Sequence, residues 1–218
     1  MQTEKYIYVV LTSTASKFGK AIRLFTGDSY NHLSISLNND LSDLCTFGRK
    51  RYRTPLNSGF VYEKLEYYTL NKYDNIGVKI YKIPVTAEQF ENVEKGIEEI
   101  AHDDEYMYNL FSALTYPFIG GFHLHKAFTC VEFVASVLKE ANVINIEKAC
   151  KVTPNEYGNL LKEYEYYSGN LVDILEKSND ADDFFKRDRV IRVIIINIKT
   201  VGKLSIRLGN KIKKRVLA

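Results

Sequence analysis

The 218-residue chain has no tryptophan, four prolines and three cysteines. The cysteines, Cys45, Cys130 and Cys150, are odd in number and show no C-x-x-C spacing. A disulfide framework and a zinc ribbon are therefore not expected, and a reducing, cytoplasmic setting is. The longest purely aliphatic stretch is 193–196, far too short to span a bilayer. No secretion leader is read at the start, where residues 1–5 run straight into a strand-like segment. The glycines fall in neither P-loop nor dinucleotide-type spacing, so no nucleotide cofactor is expected. Internal repeats and low-complexity segments are also missing.

Sixteen tyrosines and twelve phenylalanines suit strands and an aromatic-lined cleft. The net charge of +3 conceals an asymmetry. From Lys186 onward eleven Lys/Arg face a single acid, Asp188, a net +10 that leaves −7 for the rest. One domain over 1–185 and a basic appendage over 186–218 follow. Strands are expected over 5–11, 31–37, 44–48, 60–65 and 78–83, the last stopped by Pro84, with a hairpin turn at Asn38-Asn39-Asp40. Helices are expected over 15–25, 86–101, 106–114 and from Cys130 to about Glu140, with a short one from Thr153-Pro154. Residues 116–121 read as a loop and 164–175 as mixed.

Cys130 is the residue with the most to say. In Phe128-Thr129-Cys130-Val131-Glu132, Thr129 and Glu132 have capping-box spacing, which makes Cys130 the first helical residue. Unpaired N–H groups and the helix dipole favour negative charge there, and the thiolate is the nucleophilic form of cysteine. Cys130 shares a face with Val134, Val137 and Leu138, which turns the sulfur toward the core. A histidine base is available in His32, on an alternating strand beside Ser34 and Ser36. Those small residues would let the helix approach and bring imidazole to thiol. A buried cysteine is nonetheless most often a small hydrophobe, and a strand histidine most often structural. Spacing alone does not decide.

The segments Tyr30-Asn31-His32-Leu33-Ser34-Ile35-Ser36-Leu37, Thr46-Phe47-Gly48-Arg49-Lys50 and Phe128-Thr129-Cys130-Val131-Glu132-Phe133-Val134 resemble the circularly permuted NlpC-type, papain-like cysteine hydrolases. That branch includes YiiX-type bacterial proteins and is related to lecithin:retinol acyltransferase; in it the histidine precedes the cysteine, as here. The resemblance covers roughly 6–173. It implies an α+β papain-like fold, an antiparallel sheet packed against a central helix with the nucleophilic cysteine at its N-terminus. Cys130 would be the nucleophile and His32 the general base. A third group from the strand after the histidine would orient the imidazole. Counting across the Asn38–Asp40 turn puts Thr46 opposite or next to His32, with Cys45 and Asp43 as neighbours, and Thr46 is the choice. The Cys130 N–H would supply one oxyanion donor, the second being unassigned. The implied substrates are peptide, amide or lipid-linked, handled by a hydrolase or acyltransferase without cofactor. A non-catalytic lipid- or peptide-binding module is the alternative.

The other histidines point elsewhere. His123 and His125 lack the further ligands a metal needs and read as a loop flanking the cleft, where His125 could touch substrate. His102 reads as a solvated helix end. The run Arg49-Lys50-Arg51-Tyr52-Arg53 reads as a solvated loop, and nucleic acid is not favoured as a partner. In the tail, Lys199, Lys203, Arg207, Lys211 and Arg215 recur every fourth residue, and Ile194, Ile198, Val201, Leu204, Leu208 and Ile212 form a helical stripe. Such a segment either docks on the acidic body, burying the stripe, or lies on an anionic membrane surface, making the protein peripheral there.

Overall fold

A computed structural model describes residues 4–54, 56–72, 75–176 and 182–217. The reading of Met1 to Thr3 as lacking a leader lies outside the described residues. The elements, in chain order, are β1 (Lys5–Thr12), α1 (Lys17–Thr26), β2 (His32–Ser36), β3 (Cys45–Arg49), β4 (Ser58–Tyr62), α2 (Leu65–Thr69), β5 (Gly77–Val85) and α3 (Ala87–His102). There follow β6 (Met107–Tyr108), α4 (Leu110–Ile119), β7 (Ala127–Phe128), α5 (Cys130–Glu140), α6 (Pro154–Leu160), β8 (Glu165–Asn170), α7 (Asp182–Phe185) and α8 (Val190–Val216).

The fold is mixed α+β. Six strands form an antiparallel sheet in the order β4-β3-β2-β1-β5-β8, and β6 pairs with β7 in a separate parallel ribbon. Alternation along the strands gives the sheet two buried faces. One carries Ile7, Val9, Leu11, Leu33, Ile35 and Phe47, and α5 packs there through Phe133, Val134, Val137 and Leu138. The other carries Tyr8, Val10, Val78 and Ile80, covered by Leu65 and Tyr68 of α2 and by Leu171.

Several expectations shift. Pro84 does not stop β5, which runs on to Val85. Beyond Tyr81 no pairing with β8 remains, so the missing proline N–H falls where β5 has no outer partner. The helix expected over 106–114 starts at Leu110, because Met107 and Tyr108 are drawn into pairing with Ala127 and Phe128. It continues through Pro117 to Ile119, replacing the expected loop. The expected strand 60–65 ends at Tyr62, and α2 begins at Leu65. Of the run 49–53, Arg49 ends β3 and the rest is a loop with Lys50, Tyr52 and Arg53 exposed, tethered where the Tyr52 N–H donates to the Phe184 carbonyl at 2.9 Å and Arg51 pairs with Asp183 at 3.6 Å. The tail is one long helix, α8, docked through Leu204, which is fully buried, while Ile194, Ile198 and Ile212 of the stripe stay exposed. Among the described residues no helix is long and apolar enough to cross a membrane.

Candidate active site

Cys130 is the first residue of α5, and the capping box is complete. The Glu132 N–H donates to the Thr129 hydroxyl at 3.2 Å, and the Thr129 N–H donates to the Glu132 carboxylate at 2.9 Å. Two of the donors left over at a helix start are thereby satisfied. The cysteine is buried, yet it lines two adjoining cavities.

His32 opens β2 and reaches Cys130 at the end of the sheet. His32 and Cys130 line the same cavity, and Cys130 favours the protonated imidazole. Ring Nε2 lies 3.0 Å from each carboxylate oxygen of Glu63, which leaves Nδ1 for the sulfur. Burial works against a charged imidazole, but Glu63 and then Cys130 outweigh it, and the His32 pKa rises. Burial likewise favours a neutral Glu63; His32, Tyr68 and Ser34 overcome it and hold the carboxyl below its ordinary range. The Ser34 hydroxyl donates to Glu63 at 2.7 Å, and the Tyr68 hydroxyl donates to the same oxygen. This is a buried ion pair whose acid is anchored by two hydroxyls, the arrangement under which such pairs persist.

Thr46 does not orient the histidine. Its hydroxyl donates to the Leu33 carbonyl at 2.6 Å and is fully buried. The reason is register. A turn centred on Asn39 would pair Thr46 with His32, whereas Ile35 pairs with Cys45, which sets Thr46 opposite Ser34. Asp43 produces the longer connection by accepting the Leu37 N–H at 3.1 Å and the Ser36 hydroxyl. The third group comes instead from Glu63, just past the end of β4. Ser34 and Ser36 also face away from α5, which packs on the Leu33 and Ile35 side. Ser34 serves Glu63 rather than making room for a helix.

Two residues missed from the sequence complete the neighbourhood. Tyr108 lines both cavities beside Cys130, and its phenol has no hydrogen-bond partner among the described residues. Burial, then the charges of Cys130 and Glu132, keep that phenol protonated. Arg49 lines the first cavity with its guanidinium over the Tyr52 ring, 5.8 Å from the centroid. Neither carries a sequence signal, since β6 is two residues long and Arg49 sits in a basic run. His125 is exposed and lines neither cavity. His123 stands 3.3 Å from Glu132, and His102 contacts the Glu98 carbonyl at 2.8 Å at the end of α3. Among the described residues no group of three or more His, Cys, Asp or Glu could hold a metal ion.

The cavities differ in kind. The first takes His32, Glu63, Arg49 and Ser58, with Phe184 of α7 in its wall. The second takes Phe25, Leu114, Pro117, Phe118, Val131 and Val152. Asn31, Tyr108 and Cys130 belong to both. The chain matches no family model and no curated protein.

Proposed function

We propose that this protein is a papain-like cysteine hydrolase of the permuted NlpC type, working through an acyl-Cys130 intermediate. The observation that carries the reading is the Glu63–His32 pair in the same cavity as Cys130, which stands at a capped helix start. The thiol proton resides on His32 in the resting ion pair, and the sulfur attacks a carbonyl carbon as Nδ1 holds that proton. The developing oxyanion meets the Cys130 N–H, with the Tyr108 phenol as the second donor. Collapse breaks the bond to the leaving group, which departs with the proton from His32. Water then gives a proton back to His32, attacks the thioester carbonyl and frees the acid product. Glu63 fixes the ring and offsets its charge throughout.

The two cavities orient the substrate. His32 lines only the first, so a leaving group that needs its proton departs through the first. The acyl part then lies in the second, where an apolar lining suits a hydrocarbon or aromatic group. An amide substrate makes the protein an amidase or peptidase; a lipid ester or thioester, with a second acceptor in place of water, makes it an acyltransferase or thioesterase.

The test is thiol reactivity. Burial raises the pKa of both other thiols, helped by Asp43 and Glu63 at Cys45 and by Glu132 at Cys150. Iodoacetamide at pH 7 therefore labels Cys130 first, and His32→Ala slows that labelling. A mass-spectrometric search for an acyl adduct on Cys130 after exposure to cell extract identifies the substrate class. Equal labelling of the three cysteines, unchanged by His32→Ala, ends the hydrolase reading and leaves a non-catalytic binding module.

A further inference from the structure

The 27-residue helix α8 presents two different faces to its surroundings. One is held by the body. Leu204 is buried with Met107, Leu124 and Ala127; Arg207 donates to the Lys126 and Glu105 carbonyls at 2.6 and 2.8 Å; Lys211 donates to the His123 carbonyl at 2.6 Å. The other face carries Ile191, Ile194, Ile195, Ile198, Ile206 and Val216, spaced to fall on one side of the helix and all exposed. Ile198, for example, is 67% exposed. A stripe of this length left in water is costly and marks an interaction surface.

Charge says what kind. Residues 190–216 hold eight Lys/Arg and no Asp or Glu. Lys199, Lys203, Lys213, Lys214 and Arg215 have no acidic partner among the described residues. A second copy of α8 laid on the first would bury the stripe but bring two sets of cations together. A nucleic acid would answer the cations and leave the isoleucines in water. A bilayer with anionic headgroups answers both, taking the apolar stripe below the headgroup level and the cations at it.

The surface also continues. Leu208, Lys211, Ile212 and Arg215 share a groove with Leu114 and Ile119 of α4. Leu114 and the 80% exposed Phe118 in turn line the apolar cavity beside Cys130. We propose that the exposed stripe of α8, with the α4 rim, is a docking surface for an anionic lipid bilayer, onto which the apolar cavity opens. The inference does not depend on the chemistry proposed for Cys130.

Sedimentation of the full chain with vesicles tests it. The vesicles are phosphatidylcholine containing about 30% phosphatidylglycerol, against phosphatidylcholine alone. The protein binds the anionic vesicles and not the neutral ones, and Ile194→Ser with Ile198→Ser weakens binding roughly tenfold. Phe118→Ser, on α4, weakens it independently should α8 change its docking, and Cys130→Ala binds as the wild type does. Equal binding to both vesicle types, or full binding by both stripe and rim variants, overturns the proposal. So does a dimer in solution that the isoleucine substitutions dissociate, with no vesicle binding, since a second copy would then cover the stripe.

Discussion

The two cavities flanking Cys130 share a wall and have almost nothing else in common. The first gathers the titratable groups, His32, Glu63 and Arg49, around two buried hydroxyls. The second has Leu114, Pro117, Phe118, Val131 and Val152, with no carboxylate or histidine in its lining. For the reaction proposed here, proton handling is confined to one side of the sulfur and acyl recognition to the other. The separation follows from the fold. The polar side is built by β2 and the segment after β4, the apolar side by α4 and the stretch leading into α6. Either can be altered without rebuilding the other.

The sharpest way to break the contrast is to neutralise the polar side. Glu63→Gln keeps the shape and removes the charge, and a positioned base that loses its orienting partner forfeits about 10²–10⁴-fold in turnover. The same variant has a pH signature. The folded-state pKa of His32 is raised above its ordinary 6.5, so its contribution is complete below that value and fades as pH climbs toward the raised one. Glu63 is depressed below 4.5, so its contribution is complete above that value and is lost as pH falls through the lower one. The Tm difference between wild type and Glu63→Gln is therefore largest between the two ordinary values and shrinks on the alkaline side. Thermal melts from pH 5 to 9 read it, and a difference that grows with pH refutes the ion pair.

How much of this was legible in the chain depended on sequence distance. The Thr129–Glu132 capping box is a three-residue pattern, and its consequence for Cys130 could be read directly. The alternation of 32–37 is equally local. It exposed His32 as a strand residue but not which face of the sheet would meet α5, because both faces are buried. Glu63 lies 31 residues from His32 and reaches it from a strand two places away in the sheet. Nothing in its neighbours Tyr62 and Lys64 marks it. Thr46 failed for a nearer reason: Asp43 tethers the hairpin connection and moves the pairing by two residues, which preserves the face and changes the partner. The α8 stripe was visible as a pattern; that only Leu204 of it is fully buried was a tertiary fact.

On the apolar side the largest effect is expected at Gly121. A Cβ there would stand 1.6 Å from the Cys150 carbonyl oxygen, which is backbone and cannot turn away. Gly121→Ala should destabilise the protein by about 3 kcal/mol through overpacking. It also displaces Cys150, which lines the cavity, so chemical denaturation and acyl-chain preference should change together. Between the two sides stands the cap. Thr129→Ala removes the acceptor for the Glu132 N–H and should cost about 1 kcal/mol. A loss near zero would mean that the box does not hold the start of α5.

The smallest expected change makes the finest test. Leu114 lines the apolar cavity but is 52% exposed, so Leu114→Gln should move stability by no more than about 0.5 kcal/mol. If the acyl group lies in that cavity, replacing part of its apolar wall with an amide weakens ground state and transition state alike. The expected result is a raised KM with kcat unchanged, growing with acyl length at up to about 0.8 kcal/mol per buried methylene. Changes to the leaving group should leave that penalty constant, because they are felt on the other side of the sulfur. A penalty that follows the leaving group instead would reverse the assignment of the two cavities, and it would do so without disturbing the Glu63–His32 pair.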